Sequence, residues 1–337
     1  MARTLSPEEA EAIANEHRAQ MRHRLAMVRA RLTNFSARAL AKARDTFANG
    51  SGNLVDDGSR VEVTSELTER ALERLFGNQT CAVHVPGFAD QESCDTLSTW
   101  MLETCRFEKW ESLIGETDLS DMFFGIGTPV NALAGSPERC VAYFDDALPT
   151  MRRVRDAAKG RLTPIDRLRL ELDELWPSGS SVRLDPVYRK KMLVGLGRLM
   201  RPDGMVGDID TKTKGIVHTD ASPEISPDRG LFSANVYLRT PTEGGELDVW
   251  PVTPSKLDAM YLSHHLGMAF DKDQRERTQK IIRSRLPTPQ TIKVAAGDLL
   301  IINAGRPHSV RGFAEGVRVT IQSFIDHERG APLTLFA

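Results

Sequence analysis

The sequence has little that would suit the chain to a membrane, to nucleic acid or to a disulfide framework. Its 337 residues contain no apolar run near the roughly 20 residues that a membrane-spanning helix needs. Its 44 Lys and Arg residues are matched by 46 Asp and Glu, whereas proteins that bind phosphate backbones are usually basic. The N-terminus lacks the apolar segment of a secretory signal, and the four cysteines form no CxxC pair. We therefore expect a cytoplasmic protein with reduced thiols and with neither a membrane nor a nucleic-acid partner.

Patterns of helix and strand divide the chain into three predicted regions. Residues 1–50 begin with a capped helix start and carry apolar residues at helical spacing, which predicts a helical N-terminal extension. That helix either joins copies of the chain into a homo-oligomer or packs back on its own domain. Residues 51–185 contain further helix starts and are predicted to form a mainly helical support region.

The third predicted region, residues 186–330, is a catalytic core made of strands. Short runs rich in Val, Ile, Leu and Phe follow one another with Gly-containing turns between them, which is typical of an antiparallel sandwich or barrel. The polar segment 251–290 interrupts these runs and is too long for a hairpin loop, so we predict a helical insertion there. The predicted strands are 193–200, 231–238, 246–250, 291–294, 299–303 and 317–325.

Two of the eight histidines stand where a metal ion could bind. His218 and Asp220 lie two residues apart in a short extended segment, so their side chains project to the same face. His308 follows a buried strand and a turn, which would bring a second imidazole to the rim of a sheet. Two imidazoles and one carboxylate with open coordination positions are the ligand set of non-haem Fe(II) oxygenases. The same three ligands around one activated water would suit a zinc-dependent hydrolase.

A candidate anion receptor follows ten residues after His308. Arg318 and Thr320 alternate on the next predicted strand, while the apolar residues between and beside them face the other way. A guanidinium beside a hydroxyl inside a barrel can receive a carboxylate. Taken alone, Arg318 could instead form an internal salt bridge.

The combined motif His218-x-Asp220, His308 and Arg318-x-Thr320 resembles that of the Fe(II)- and 2-oxoglutarate-dependent dioxygenase family. The strand that holds Asn235, the turn Gly244-Gly245 and the segment 296–300 also resemble parts of that family's core. The likeness is loose over residues 80–327 and specific over 190–325. It departs from many members in the 90 residues between the two histidines, a spacing that the insertion accounts for.

The resemblance implies a fold, a ligand set and a reaction. The fold would be α+β, with a double-stranded β-helix (jelly-roll) core, a helical N-terminal region and a helical insertion between core strands. Fe(II) would be held at the catalytic centre by His218, Asp220 and His308. The cosubstrate 2-oxoglutarate would be bound by Arg318 and Thr320, with Asn235 as a further partner of the cosubstrate or of a ligand histidine. An ordinary buried amide is the alternative for Asn235.

With O2 and 2-oxoglutarate, such an enzyme would hydroxylate an unactivated C–H bond and release succinate and CO2. The near-neutral charge and the lack of a peptide-binding module favour a small-molecule substrate, either an amino acid or an intermediate of secondary metabolism. A protein side chain or a nucleotide is the alternative within this class. Two other classes stay open. These are the zinc hydrolase, which has no need of Arg318 beside Thr320, and a non-catalytic cupin-like binding protein.

Overall fold

The computed structural model describes residues 45, 47, 54–104, 108–109, 124–130, 137–202, 215–220, 225–268 and 272–337. Almost all of the predicted N-terminal helix, including His17 and His23, lies outside these residues. Within them, no helix combines the length and the apolar character that crossing a bilayer requires.

The described helices begin where the sequence supplies caps. Thr68 and Thr163 accept hydrogen bonds from the backbone amides of Ala71 and Asp166, which satisfies helix N–H groups that have no internal partner. The last two helices occupy the predicted insertion. The described helices are α1 (Glu69–Phe76), α2 (Gln91–Thr104), α3 (Pro137–Ala157), α4 (Pro164–Leu175), α5 (Lys256–Met268) and α6 (Lys272–Arg285).

The described strands form one large mixed sheet and one small antiparallel sheet. The strands are β1 (Arg60–Val63), β2 (Thr80–Val85), β3 (Glu108–Lys109), β4 (Phe124–Ile126), β5 (Ser180–Val182), β6 (Leu196–Met200), β7 (Arg229–Arg239), β8 (Leu247–Val249), β9 (Gln290–Ile292), β10 (Leu299–Asn303), β11 (His308–Val310), β12 (Arg318–Glu328) and β13 (Leu333–Phe336). The large sheet runs β1-β2-β10-β7-β12-β6-β4-β3, with β13 on β12 and β5 on β13. The small sheet runs β11-β8-β9.

Each predicted strand overlaps an observed one, but the pairing is not wholly antiparallel. β1 pairs in parallel with β2, and β5 pairs in parallel with β13. Parallel neighbours need a crossover rather than a hairpin, and α1 supplies it between β1 and β2. The region 51–185 therefore contains helices and also contributes strands to the large sheet.

The two faces of the large sheet pack differently because side chains alternate along each strand. One face, with Val236, Val319 and Ile321, packs with residues of α1, α2 and α4 in the main apolar cluster. The other face carries Tyr237 and Leu300 toward the small sheet, where both belong to one apolar cluster with residues of β8 and β9. The candidate site lies in the space between the two sheets.

Candidate metal centre and anion pocket

His218, Asp220 and His308 come together although 90 residues of sequence separate the two histidines. The backbones of His218 and His308 form a bridge in which each N–H donates to the other's carbonyl, at 3.0 and 2.9 Å. The Asp220 N–H donates to the Ala304 carbonyl at 3.0 Å, which ties the turn after His218 to the end of β10. One ligand-type atom from each of the three residues lies within 4.8 Å of the others.

The distances among these atoms suit one small cation. His218 Nε2 lies 3.6 Å from Asp220 Oδ1, and His308 Nε2 lies 3.5 Å from Asp220 Oδ2. Two donors that each stand about 2.1 Å from one ion are at most about 4.2 Å apart. Both separations fall inside that limit, so each histidine can share one ion with the Asp220 carboxylate.

Both imidazoles are oriented by the backbone two residues upstream. His218 Nδ1 lies 3.0 Å from the Ile216 carbonyl oxygen, and His308 Nδ1 lies 2.9 Å from the Arg306 carbonyl oxygen. A carbonyl oxygen can only accept, so Nδ1 must carry the proton in each ring. In the neutral ring the lone pair is then on Nε2, which faces Asp220, and this is the tautomer that a metal-binding histidine needs.

The electrostatics of the centre favour positive charge between the three side chains. Burial opposes ionisation of the Asp220 carboxyl, but the imidazoles of His308 and His218 outweigh it and hold its pKa well below the usual range. Burial also opposes charging of His308, yet the Asp220 carboxylate overcomes this and raises the His308 pKa. The Asp220 side chain is only 18% exposed, and the exposure of the residue comes chiefly from its backbone.

An ion pair between the buried Arg306 and the partly exposed Asp57 supports the turn that carries His308. Arg306 is 1% exposed, and its Nη1 donates to Asp57 Oδ2 at 2.6 Å and to the Val252 carbonyl at 3.1 Å. Burial opposes ionisation of Asp57, but hydrogen bonds from Ser59 and Arg306 lower its pKa to about 2. Because the Arg306 carbonyl accepts from His308 Nδ1, this ion pair helps to fix the imidazole.

Arg318 lies in a pocket that fits an external anion. The side chain is buried, and its Nη1 and Nη2 donate to Met200 Sδ at 3.2 Å and to Tyr237 Oη at 3.1 Å. Its Nε and the neighbouring Thr320 Oγ1 are buried and have no hydrogen-bond partner in the described part of the chain. Among the described residues no carboxylate lies within ion-pair distance of Arg318. A buried cation with unused donors is costly, so the arrangement suits a carboxylate that comes from outside the chain.

Asn235 belongs to a polar network beside this pocket. Its Nδ2 donates to Ser233 Oγ at 3.2 Å, and Gln322 Nε2 donates to the same oxygen at 2.8 Å. Arg198 Nη1 in turn donates to Gln322 Oε1 at 2.6 Å. These side chains share one face of the large sheet with Thr320, since Thr320 pairs with Arg198 and Gln322 pairs with Asn235.

Sequence reasoning missed Arg198 and Tyr237. Burial lowers the pKa of Arg198 to about 10 although the Asp220 carboxylate opposes this, and the charge of Arg318 lowers it further. The available signal was a single cation in the otherwise apolar strand β6, at a position that alternation places beside Met200. Which strand lies next to β6 cannot be read from that pattern, so the link to Thr320 needed the structure.

The other histidines and Trp250 fall outside the centre. His84 Nε2 contacts Asp298 Oδ2 at 2.8 Å in the core, as a structural histidine does. His327, which belongs to β12, stacks on Phe76 of α1 at a ring-centroid distance of 4.9 Å. Trp250 is buried among apolar side chains behind the site. The side chains of His264 and His265 lie outside the described part of the chain.

Comparison with known proteins gives a match only at the level of three-dimensional structure. No protein-family model and no curated protein matches the sequence. An N-substituted L-amino acid dioxygenase from Burkholderia ambifaria AMMD aligns at 12% identity and a TM-score of 0.46, over 80% of this chain and 91% of that one. HygX from Streptomyces hygroscopicus, solved with nickel and 2-oxoglutarate bound, aligns at 17% identity and a TM-score of 0.35, over 79% and 89%.

A Pseudomonas putida prolyl-4-hydroxylase aligns at 14% identity and a TM-score of 0.32, over 77% of this chain and 100% of that one. With TM-scores below 0.5, these alignments assign neither a substrate nor a reaction to this chain.

Proposed function

We propose that the chain is an Fe(II)- and 2-oxoglutarate-dependent oxygenase with a double-stranded β-helix core. One observation carries the proposal. A His/Asp/His cluster within 4.8 Å lies between the same two sheets as a buried guanidinium with unused donors. The cluster alone would also suit a zinc hydrolase, but such an enzyme has no need of a second, carboxylate-binding pocket. The pairing of the two features favours the oxygenase.

Each part of the site has a distinct task in this proposal. Fe(II) would be held by His218 Nε2, His308 Nε2 and the Asp220 carboxylate. Arg318 would pair with the distal carboxylate of 2-oxoglutarate while Thr320 donates to it. With these groups bound, the iron and the cosubstrate supply the oxidising chemistry, in which O2, 2-oxoglutarate and a substrate C–H give succinate, CO2 and a hydroxylated product.

The protein's own contribution is to orient and to exclude water. The backbone carbonyls of Ile216 and Arg306 keep the ring protons on Nδ1, so that both Nε2 atoms point inward. Tyr237, Val249 and Leu300, which come from both sheets, pack in one apolar cluster, and Tyr237 also contacts Arg318. Removing water from around a charged pair strengthens its attraction, so these neighbours would tighten the hold of Arg318 on a carboxylate.

For the substrate we propose a small molecule, either an amino acid or an intermediate of secondary metabolism, which is hydroxylated. The formal net charge of −2 does not favour a polyanionic partner. A protein side chain or a nucleotide is the alternative substrate, and the zinc hydrolase is the alternative chemistry. We further propose a cytoplasmic enzyme, and a homo-oligomer formed through residues 1–50 stays a prediction.

The test is anaerobic Fe(II) titration followed by succinate measurement in air with 2-oxoglutarate. We expect His218→Ala and His308→Ala to lose Fe(II) binding and succinate release. The matched control is His84→Ala, which removes a buried histidine outside the centre and should keep wild-type Fe(II) affinity. Undiminished Fe(II) affinity in either centre variant would refute the proposed ligand set. Tight Zn(II) binding with no succinate under any condition would favour the hydrolase.

A further inference from the structure

The second helix of the insertion makes a specific contact with the segment that carries His218. Gln279 on α6 is only 3% exposed. Its Oε1 accepts from the Val217 N–H at 2.8 Å, and its Nε2 donates to the Val217 carbonyl at 3.1 Å. One primary amide thus offers the acceptor and the donor that a neighbouring strand would offer.

This contact supplies the missing edge of a very short strand. In an extended chain, the N–H and C=O groups of successive residues point to opposite edges. His218 uses its pair on one edge with His308, and Val217 uses its pair on the other edge with Gln279. Residues 215–220 make no longer ladder with a described strand. Without Gln279, the buried backbone of Val217 would lose both partners, which native proteins rarely allow.

Further contacts from the insertion hold the same segment. Arg283 Nη2 donates to the Gly215 carbonyl at 2.7 Å. The Val217 side chain is fully buried in an apolar cluster that includes Leu262 of α5 and Ile282 of α6. Side chains alternate along the segment, so this packing turns His218 toward the opposite face. The insertion therefore lies behind the His218 segment, opposite the metal centre.

We propose that Gln279 is a positioning residue for the candidate metal centre, acting through Val217 to fix His218 and Asp220. This inference rests on the proposed function, because it assigns a consequence for metal affinity. Groups that orient metal ligands from outside the coordination shell typically change affinity by about 10–100-fold when they are removed. Gln279 acts on the backbone of Val217, the residue before His218, rather than on the imidazole ring. A shift of that backbone would change where His218 Nε2 points.

The experiment uses the full chain and two substitutions at this position. Gln279→Leu keeps most of the side-chain volume but removes both hydrogen bonds. Gln279→Glu keeps the acceptor for the Val217 N–H and loses the donor. Affinity for Fe(II) is measured anaerobically by titration, and hydrogen exchange is measured for the peptide spanning residues 215–220. We expect at least about 10-fold weaker Fe(II) binding in Gln279→Leu, a smaller loss in Gln279→Glu, and faster exchange in both.

Two controls separate positioning from general loosening of the insertion. Ile282→Val thins the packing of the same helix in the same cluster but leaves both bonds to Val217 in place. Arg277→Ala changes an exposed residue of that helix. Neither control should alter Fe(II) affinity, although Ile282→Val should lower the unfolding temperature.

Wild-type Fe(II) affinity in folded Gln279→Leu would overturn the inference, as would an equal loss of affinity in Ile282→Val. Should Gln279→Leu not fold, Gln279→Glu carries the same comparison. Failure of the wild-type chain to bind Fe(II) would instead overturn the proposed function. Hydrogen exchange at residues 215–220 would then still decide whether Gln279 orders the segment.

Discussion

Replacing Arg318 with methionine should weaken the binding of 2-oxoglutarate while it lowers the stability of the ligand-free protein very little. Most substitutions in a binding site lower both properties together. Methionine matches the stem of arginine out to Nε but has no charge, and it can still pack beside Met200 and Tyr237, whose ring lies 4.9 Å from the guanidinium carbon. The variant removes the proposed partner of a carboxylate. It also removes a buried cation whose Nε has no acceptor among the described residues.

In the ligand-free protein, the two changes have opposite effects on the free energy of unfolding. A buried N–H without an acceptor costs about 1–3 kcal/mol, and the lost cation–π contact contributed about 0.5–2 kcal/mol. The free energy of unfolding should therefore fall by no more than about 1 kcal/mol and rise by no more than about 2.5 kcal/mol. With an unfolding entropy of roughly 0.7 kcal/mol/K for a chain of this length, the unfolding temperature should fall by no more than about 1.5 °C and rise by no more than about 4 °C.

Binding of 2-oxoglutarate should respond strongly to the same change. Removing one member of a buried charge pair costs about 2–5 kcal/mol, or at least about 30-fold in Kd. A ligand at about 100 times its Kd stabilises the folded state by about 2.7 kcal/mol, which raises the unfolding temperature by about 4 °C here. After a 30-fold loss, the same concentration would contribute only about 0.9 kcal/mol, or about 1 °C.

The assay is differential scanning calorimetry under anaerobic conditions with saturating Fe(II), with and without 2-oxoglutarate. The reasoning is refuted if Arg318→Met keeps the full ligand-induced shift. A fall of more than about 5 °C in the ligand-free protein would show that Arg318 has a structural anionic partner, which is the internal salt bridge that the sequence left open. Arg318→Lys serves as the charged control and should recover only part of the shift, because an ammonium lacks the two-pronged donor.

Two further predictions concern the supports of the centre. Asp57→Asn should remove about 1–2 kcal/mol of pH-dependent stability, after a discount for the 25% exposure of this side chain. Because hydrogen bonds from Ser59 and Arg306 lower the Asp57 pKa from 3.8 to about 2, the contribution of Asp57 is present above about pH 4 and is lost as the pH falls toward 2. Urea unfolding of both proteins between pH 7 and pH 2.5 should therefore show a gap that narrows in acid, and a constant gap would contradict the assignment. Gly215→Ala should weaken the His218–His308 bridge, because Gly215 has a φ of +73° and an added Cβ would stand 1.8 Å from the Val310 carbonyl oxygen. Calorimetry and Fe(II) titration should both register the change, and wild-type values in both would contradict it.

The parts of the site that the sequence predicts are those encoded within a few residues. His218 and Asp220 lie on one face because they are two residues apart, and the same argument places Arg318 beside Thr320. Apolar alternation predicts a strand over 317–325, and β12 begins at Arg318 and continues to Glu328. Local periodicity decides such features, so no knowledge of distant partners is needed.

The parts that the sequence does not predict depend on which distant elements become neighbours. Nothing near Asp57 indicates that it will meet Arg306, which lies 249 residues away. Gln279 looks like any polar residue of a charged helix until the helix is placed against Val217. Tyr237 reads as a core aromatic residue, and only the pairing of β7 with β12 brings its hydroxyl to Arg318. Register between strands, rather than composition, determines these contacts.

The ion pair of Asp57 and Arg306 also bears on the shortest fragment of this chain that we expect to fold with the candidate metal centre intact. The motif residues all lie after residue 215, and a fragment limited to the predicted core 186–330 would contain every one of them. Such a fragment would leave Arg306 buried without its carboxylate, in the turn that orients His308. It would also lack β2, which pairs with β10 along four residues. We therefore expect a minimal autonomous unit to begin before Asp57, and the support region and the core to fold together.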